Sequence, residues 1–155
     1  NWDRPFLEAW VRPGPDFKNW TDRNNMTANG IITGDTDWSL YISEHYRHPD
    51  HRIRRLTVRK QGFASMHADA KGGEFTTHPL KCTGRKLIIN YSTSAAGSIQ
   101  IDALDDSGKA VATMPELYGD EFEANALDVS KLTGQTIQLR VKMKDADLFA
   151  LRFAD

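Results

Sequence analysis

Between residues 136 and 153 the chain reads TIQLRVKMKDADLFALRF. Its first half alternates without a fault, with Ile137, Leu139, Val141 and Met143 on one side and Gln138, Arg140, Lys142 and Lys144 on the other. A strand sends successive side chains to opposite faces, so the pattern predicts a half-buried strand with one oily face and one wet, cationic face. A helical period would mix Val141 with Lys144 and Leu139 with Lys142 on one face. Asp145-Ala146-Asp147 predicts a turn, after which Phe149, Leu151 and Phe153 fall together against Leu148, Ala150 and Arg152. Two such strands need a sheet to lie in and a second layer to cover it.

The same alternation recurs upstream. Trp38, Leu40 and Ile42 oppose Ser39, Tyr41 and Ser43. In 52–59, RIRRLTVR, the apolar Ile53, Leu56 and Val58 sit among Arg52, Arg54, Arg55 and Arg59. Their spacing predicts a strand with a bulge near Arg54-Arg55. Further strands are expected over 61–68, 75–80, 87–91, 98–104 and 110–114, with STSAAG as the loop between the third and fourth of these. The segments 71–74 and 105–108 read as turns. The stretch 116–126 is ambiguous, and DVSKLTG reads as a polar connection or short helical turn. Roughly nine or ten short strands about ten residues apart predict an all-β fold, a two-sheet antiparallel β-sandwich of jelly-roll or lectin-like type, with a small barrel as the alternative. Residues 1–30 are rich in Pro, Gly, Asn and Asp and predict an extended, aromatic-rich arm. All four tryptophans, Trp2, Trp10, Trp20 and Trp38, lie within the first 38 residues. Disordered tails are poor in aromatics, so this arm is expected to pack on the sandwich.

With 155 residues the chain is expected to form one domain, 1–155. Twenty basic and 21 acidic residues give a net charge of −1, which argues against nucleic acid or an anionic membrane as partner and favours a neutral one. The single cysteine, Cys82, excludes an intrachain disulfide. No apolar run is long enough for a signal peptide or a membrane span. The opening Asn1-Trp2, without an initiator Met, suggests a piece of a longer protein.

Several groups could carry chemistry. His45, His48 and His51 are spaced three apart, but Pro49 places them on a loop without fixed geometry, so solvated histidines are expected there and no metal site. Glu116, Asp120, Glu121 and Glu123, with Glu44, could supply a carboxylate pair for glycoside hydrolysis, which depends on a separation that a sequence does not contain. Asp105-Asp106-Ser107-Gly108 lacks the alternating ligands and terminal Glu of an EF-hand, and turn chemistry explains it. Cys82 has no evident His partner, and Ser92, Ser94 and Ser98 show no nucleophile elbow. Arg52, Arg54, Arg55 and Arg59 could receive an anionic sugar or sulfate, though an exposed strand face explains them as well. The aromatics give the strongest signal, because flat rings stack on sugar rings while polar neighbours bond the hydroxyls. Against this stands the ordinary role of tryptophan in packing cores.

The order GSIQIDALDDSGKA, then DVSKLTGQTIQLRVKMKDADLFALRF, resembles the C-terminal β-sandwich of family 32-like glycoside hydrolases and related five-bladed propeller proteins. Upstream, NWTDRNNMTANGII, SLYISEHYRHPDHRIRRLTVRKQGFASMHA, GGEFTTHPL and LIINYSTSAAGS are similar to the segment by which those proteins leave the propeller. The resemblance covers nearly the whole chain and implies a secreted, bacterial, glycan-related setting. The blades that carry the family's catalytic acids would lie before Asn1, so no catalytic residue is carried over. Fold analogy alone also allows a structural calcium, and no other cofactor is expected. Together these readings predict a non-catalytic carbohydrate-binding module that holds a polysaccharide or oligosaccharide through Trp20, Trp38 and Tyr46, with Asp22, Arg23 and Asn24 bonding the hydroxyls. A covalently linked catalytic domain would be its neighbour in the full-length protein. The alternatives are a structural sandwich that stabilises such a domain, and a small autonomous glycan-active enzyme.

Overall fold

The computed structural model describes residues 5–20 and 25–155. The fold is all-β, with a seven-stranded and a three-stranded antiparallel sheet. Contacts gather into two compact units, Asn1–Lys60 and Gln61–Asp155.

The first unit holds a 3-10 turn, Phe17–Asn19, and the strands β1 (Ile32–Thr33), β2 (Asp37–Glu44) and β3 (Arg52–Arg59), in the spatial order β1-β2-β3. Strands β2 and β3 pair without interruption from Asp37↔Arg59 to Glu44↔Arg52. The bulge expected at Arg54-Arg55 is therefore absent. It would have turned Ile53 inward, yet Ile53 is 68% exposed, so no burial requirement forces the alternation to be restored. The arm is tied down within this unit. Thr27 bridges to Ile42, Ala28 N–H donates to Tyr41 C=O, and Ser43 N–H donates to Met26 C=O.

The second unit contains β4 (Met66–Ala68), β5 (Gly73–Thr76), β6 (Leu80–Lys81), β7 (Lys86–Leu104), β8 (Ala110–Thr113), β9 (Asp120–Asp128), a 3-10 turn at Ser130–Leu132, and β10 (Thr136–Ala154). Everything is laid on two long strands. β10 pairs with β7 along nearly its whole length, while β4, β5 and β6 line the other edge of β10, and β8 and β9 line the other edge of β7. Leu87, Ile89 and Tyr91 from the first half of β7 share one buried cluster with Ile99, Ile101 and Ala103 from its second half. Ile137, Leu139, Val141 and Met143 of β10 join them, as their alternation predicts. The long ribbon thus bends, and its two halves supply two layers around a single core.

The two breaks expected in this ribbon are not loops. Asp145-Ala146-Asp147 stays within β10, where the register shifts between Lys144 and Ala146 and Asp145 takes a left-handed φ of 42°. STSAAG stays within β7. At Gly97 the neighbouring backbone leaves no room for a side chain: a Cβ there would stand 2.2 Å from the Asp145 carbonyl oxygen. Turn-prone residues serve here as a bulge, which bends a paired strand without ending it. Two boundaries also differ from expectation: the strand proposed over 61–68 is limited to β4, and the ambiguous stretch after residue 116 becomes β9 from Asp120 onward.

Candidate functional site

Directly opposed residues of an antiparallel pair share a face, so the register sorts the side chains of the three-stranded sheet. On one face lie Trp38 with Val58, Leu40 with Leu56, Ile42 with Arg54, and Glu44 with Arg52. On the other lie Asp37 with Arg59, Ser39 with Thr57, Tyr41 with Arg55, and Ser43 with Ile53. An open hollow of about 250 Å³ is lined by Met26, Tyr41, Ser43, Tyr46, His51 and Ile53. Two tyrosines and aliphatic side chains form its walls, and polar atoms are few but fixed. Ser43 Oγ and His51 Nε2 share a 2.7 Å hydrogen bond, and the His51 ring meets Tyr46 edge to face with centroids 6.0 Å apart. Tyr46 also carries the Arg47 guanidinium over its ring at 5.8 Å.

The loop that presents Tyr46 and His51 is anchored through His45. The His45 side chain is buried, with its Nε2 2.8 Å from Asp16 Oδ2 and its Nδ1 2.8 Å from Asp50 Oδ2. Lys18 Nζ reaches the same Asp50 oxygen at 2.7 Å, and Asn19 Oδ1 accepts the His45 N–H at 3.1 Å. The Asp50 carboxyl is held far below the usual carboxylate range by the Lys18 ammonium and then by His45. Asp16 is lowered chiefly by the Lys18 backbone N–H and then by the His45 hydrogen bond. The 3-10 turn of the arm is thereby pinned to the loop between β2 and β3.

The sequence-predicted residues divide. Tyr46 lines the hollow. Trp20 lies outside its lining, at the end of the pinned turn, 62% exposed, with its indole N–H donating to Gly14 C=O at 2.7 Å. Trp38 falls on the opposite face of the sheet, among Val58, Leu40 and Leu56. Asp22, Arg23 and Asn24 lie outside the described residues. Tyr41, Ser43, His51 and Ile53 take the places beside Tyr46. The alternation of 37–44 contained that signal, because it sets Tyr41 and Ser43 on the face that Trp38 does not share.

Other candidates resolve differently. The histidine triplet does not converge: His45 spends both ring nitrogens on aspartates, His48 stands edge-on to Phe17, and His51 bonds Ser43. His45 is thus no solvated loop residue, since Asp16 of the pinned turn and Asp50 of its own loop hold it in place. Among the described residues no group of three or more His, Cys, Asp or Glu could hold a metal ion. At the Asp105–Gly108 turn, Asp105 Oδ1 already accepts from Ser107 N–H, Ser107 Oγ–H and Lys109 N–H, so the loop is the self-contained turn its sequence predicts and does not fit calcium. Glu44 is buried and bonded by Arg52 at 2.8 Å and Arg54 at 3.1 Å, and Glu123 faces Arg152 at 3.5 Å. Cys82 is fully buried. A second hollow of about 280 Å³, beside Ala95, Gly97, Ser98, Glu116, Tyr118 and Lys144, offers a single aromatic ring, Tyr118.

No known protein family matches the chain, and no curated protein or solved structure is found similar to it. No helix among the described residues is long and apolar enough to cross a membrane.

Proposed function

We propose that this chain is a non-catalytic carbohydrate-binding module that holds a neutral polysaccharide weakly, as the ancillary domain of a secreted bacterial glycan-degrading protein. The observation that carries this reading is the hollow of Tyr41 and Tyr46 with the Ser43–His51 pair at its wall. Tyrosine faces present apolar area at small entropic cost, while the hydroxyl and imidazole bond sugar hydroxyls and are already aligned by each other. The site is open and shallow, which suits one unit of a chain lying across it. A contact of this size supplies an affinity of roughly micromolar to millimolar. Retention on insoluble neutral polysaccharides, followed by fluorescence titration with the soluble oligosaccharides, tests the reading. Retention lost in Tyr41→Ala and Tyr46→Ala supports it, and equal retention of both folded variants refutes it.

A second reading, a structural sandwich that stabilises a neighbouring catalytic domain, has its own support. In the first unit Phe6, Leu7, Phe17, Ile32 and Ile53 are each more than half exposed, whereas Ile42 is the one buried hydrophobic residue among those described there. Exposed apolar area of this kind marks surfaces that meet other protein. A module that binds no glycan yet raises the melting temperature of its attached neighbour would favour this second reading.

A further inference from the structure

Strand β3 is an outer strand, and the direction of its backbone groups follows from its neighbours. Lys60 N–H donates to Thr36 C=O at 3.0 Å, continuing the register of Asp37↔Arg59. On the far side of β2, Tyr41 C=O accepts from Ala28 N–H at 2.8 Å and Ser43 N–H donates to Met26 C=O at 2.9 Å. Antiparallel strands alternate between bonded and unbonded pairs. Trp38, Leu40, Ile42 and Glu44 therefore exchange backbone bonds with Val58, Leu56, Arg54 and Arg52. The N–H and C=O groups of Ile53, Arg55 and Thr57 point to the open edge, and all three residues are exposed.

This edge is strongly cationic. Arg52 and Arg54 share the single carboxylate of Glu44. Arg55 gives its Nε–H to the neutral Ser39 hydroxyl at 3.0 Å, which leaves the outer fork of its guanidinium for another group. Arginines along an edge ordinarily prevent edge-to-edge pairing, and here they oppose β3 meeting β3 of a second copy. For an acidic strand the same charges attract.

We propose that the free edge of β3 receives an extended acidic segment of a partner protein, added as a fourth strand. Backbone bonds to Ile53, Arg55 and Thr57 hold it, acidic side chains meet Arg52 and Arg54 on one face, and on the other face an aliphatic side chain covers the exposed Ile53. This mode shares Ile53 with the rim of the tyrosine hollow but needs neither tyrosine, so it stands independently of glycan binding.

The probe is a blocked, labelled peptide as long as β3, alternating Glu with Val and Thr, titrated against the whole chain by fluorescence anisotropy. A peptide alternating Glu with Pro has the same charge without the ability to pair as a strand. The first should bind and weaken with added salt, and the second should bind at least about tenfold less, since proline cannot supply the backbone N–H groups of a paired strand. Thr57→Pro removes an outward N–H while leaving the bonds to β2 intact, so it should weaken binding about tenfold and keep the circular dichroism spectrum. Should that variant fail to fold, amide exchange in the parent decides: the peptide should slow Ile53, Arg55 and Thr57 and leave Arg54 and Leu56 unchanged. Equal binding of the two peptides, protection without this alternation, or no binding by the folded chain would overturn the proposal. So would self-association of the parent that Thr57→Pro abolishes, because the edge would then belong to a second copy.

Discussion

His45 Nε2 lies 2.8 Å from Asp16 Oδ2, a carboxylate 29 residues earlier in the chain, and this bond joins the aromatic arm to the loop that carries Tyr46. His45→Ala should release the turn at Phe17–Asn19. Limited proteolysis should then cut near Lys18 in the variant and spare the parent, while the far-ultraviolet spectrum stays β-dominated.

The same cluster sets a pH dependence. The Asp16 and Asp50 carboxyls titrate lower in the folded chain than in the unfolded one, through Lys18 and His45. Their contribution to docking the arm is complete above the ordinary carboxylate range near pH 4 and fades as pH falls through their depressed folded values. Acid titration followed by tryptophan emission should show the arm loosening on that acid limb. Asp50→Asn should loosen it at neutral pH and flatten the limb.

Asp102 is buried on the sheet and accepts from Arg140 Nη2 at 2.6 Å, Arg140 Nε at 3.1 Å and Thr113 Oγ1 at 2.8 Å, with Lys142 Nζ at 3.4 Å. Its carboxyl is lowered first by Arg140, and then by Thr113 and Lys142. Arg140→Ala leaves a buried carboxylate short of its main partner and should cost about 2 kcal/mol in urea unfolding at pH 7. Since the folded value is the lower one, the loss should shrink as pH falls and Asp102 becomes protonated in both states.

Val141 is fully buried, and Lys142 next to it points to the wet face. Val141→Asp should unfold the second unit, as an unpaired buried charge exceeds the whole margin of many domains. Lys142→Ala should cost under about 1 kcal/mol. Lys142→Asp is the harsher exchange, because it sets a second carboxylate beside Asp102. Gly97→Ala forces a Cβ against the Asp145 carbonyl and should destabilise by about 1–3 kcal/mol. Thermal unfolding of the variants, compared with the parent, checks all four.

The period-two alternation of 37–44 and 136–143 made the all-β class and the inward face of β10 legible. It could not reveal that 145–147 and the STSAAG segment continue their strands. Asp, Ser, Ala and Gly favour turns and bulges alike, and only pairing along both edges of the β7–β10 ribbon decides between them. The bulge expected in β3 came from assuming that every aliphatic residue is buried, which the exposed Ile53 does not obey. For the site, ring type pointed to Tyr46, which lines the hollow, but nearness in sequence set Trp38 beside it although the pleat sends Trp38 to the other face. His45 had no local signal, because its two aspartates come from opposite directions along the chain.

The most direct test of the proposed sugar site is affinity electrophoresis of the parent and Tyr41→Ala through gels containing a panel of neutral polysaccharides, at low and high salt. Stacking on rings is barely screened by ions, so the parent should be retarded by at least one polymer at both salt levels, and Tyr41→Ala should run free of it. A parent chain that migrates unretarded in every polymer, or a folded Tyr41→Ala retarded as strongly as the parent, would contradict glycan binding at this hollow.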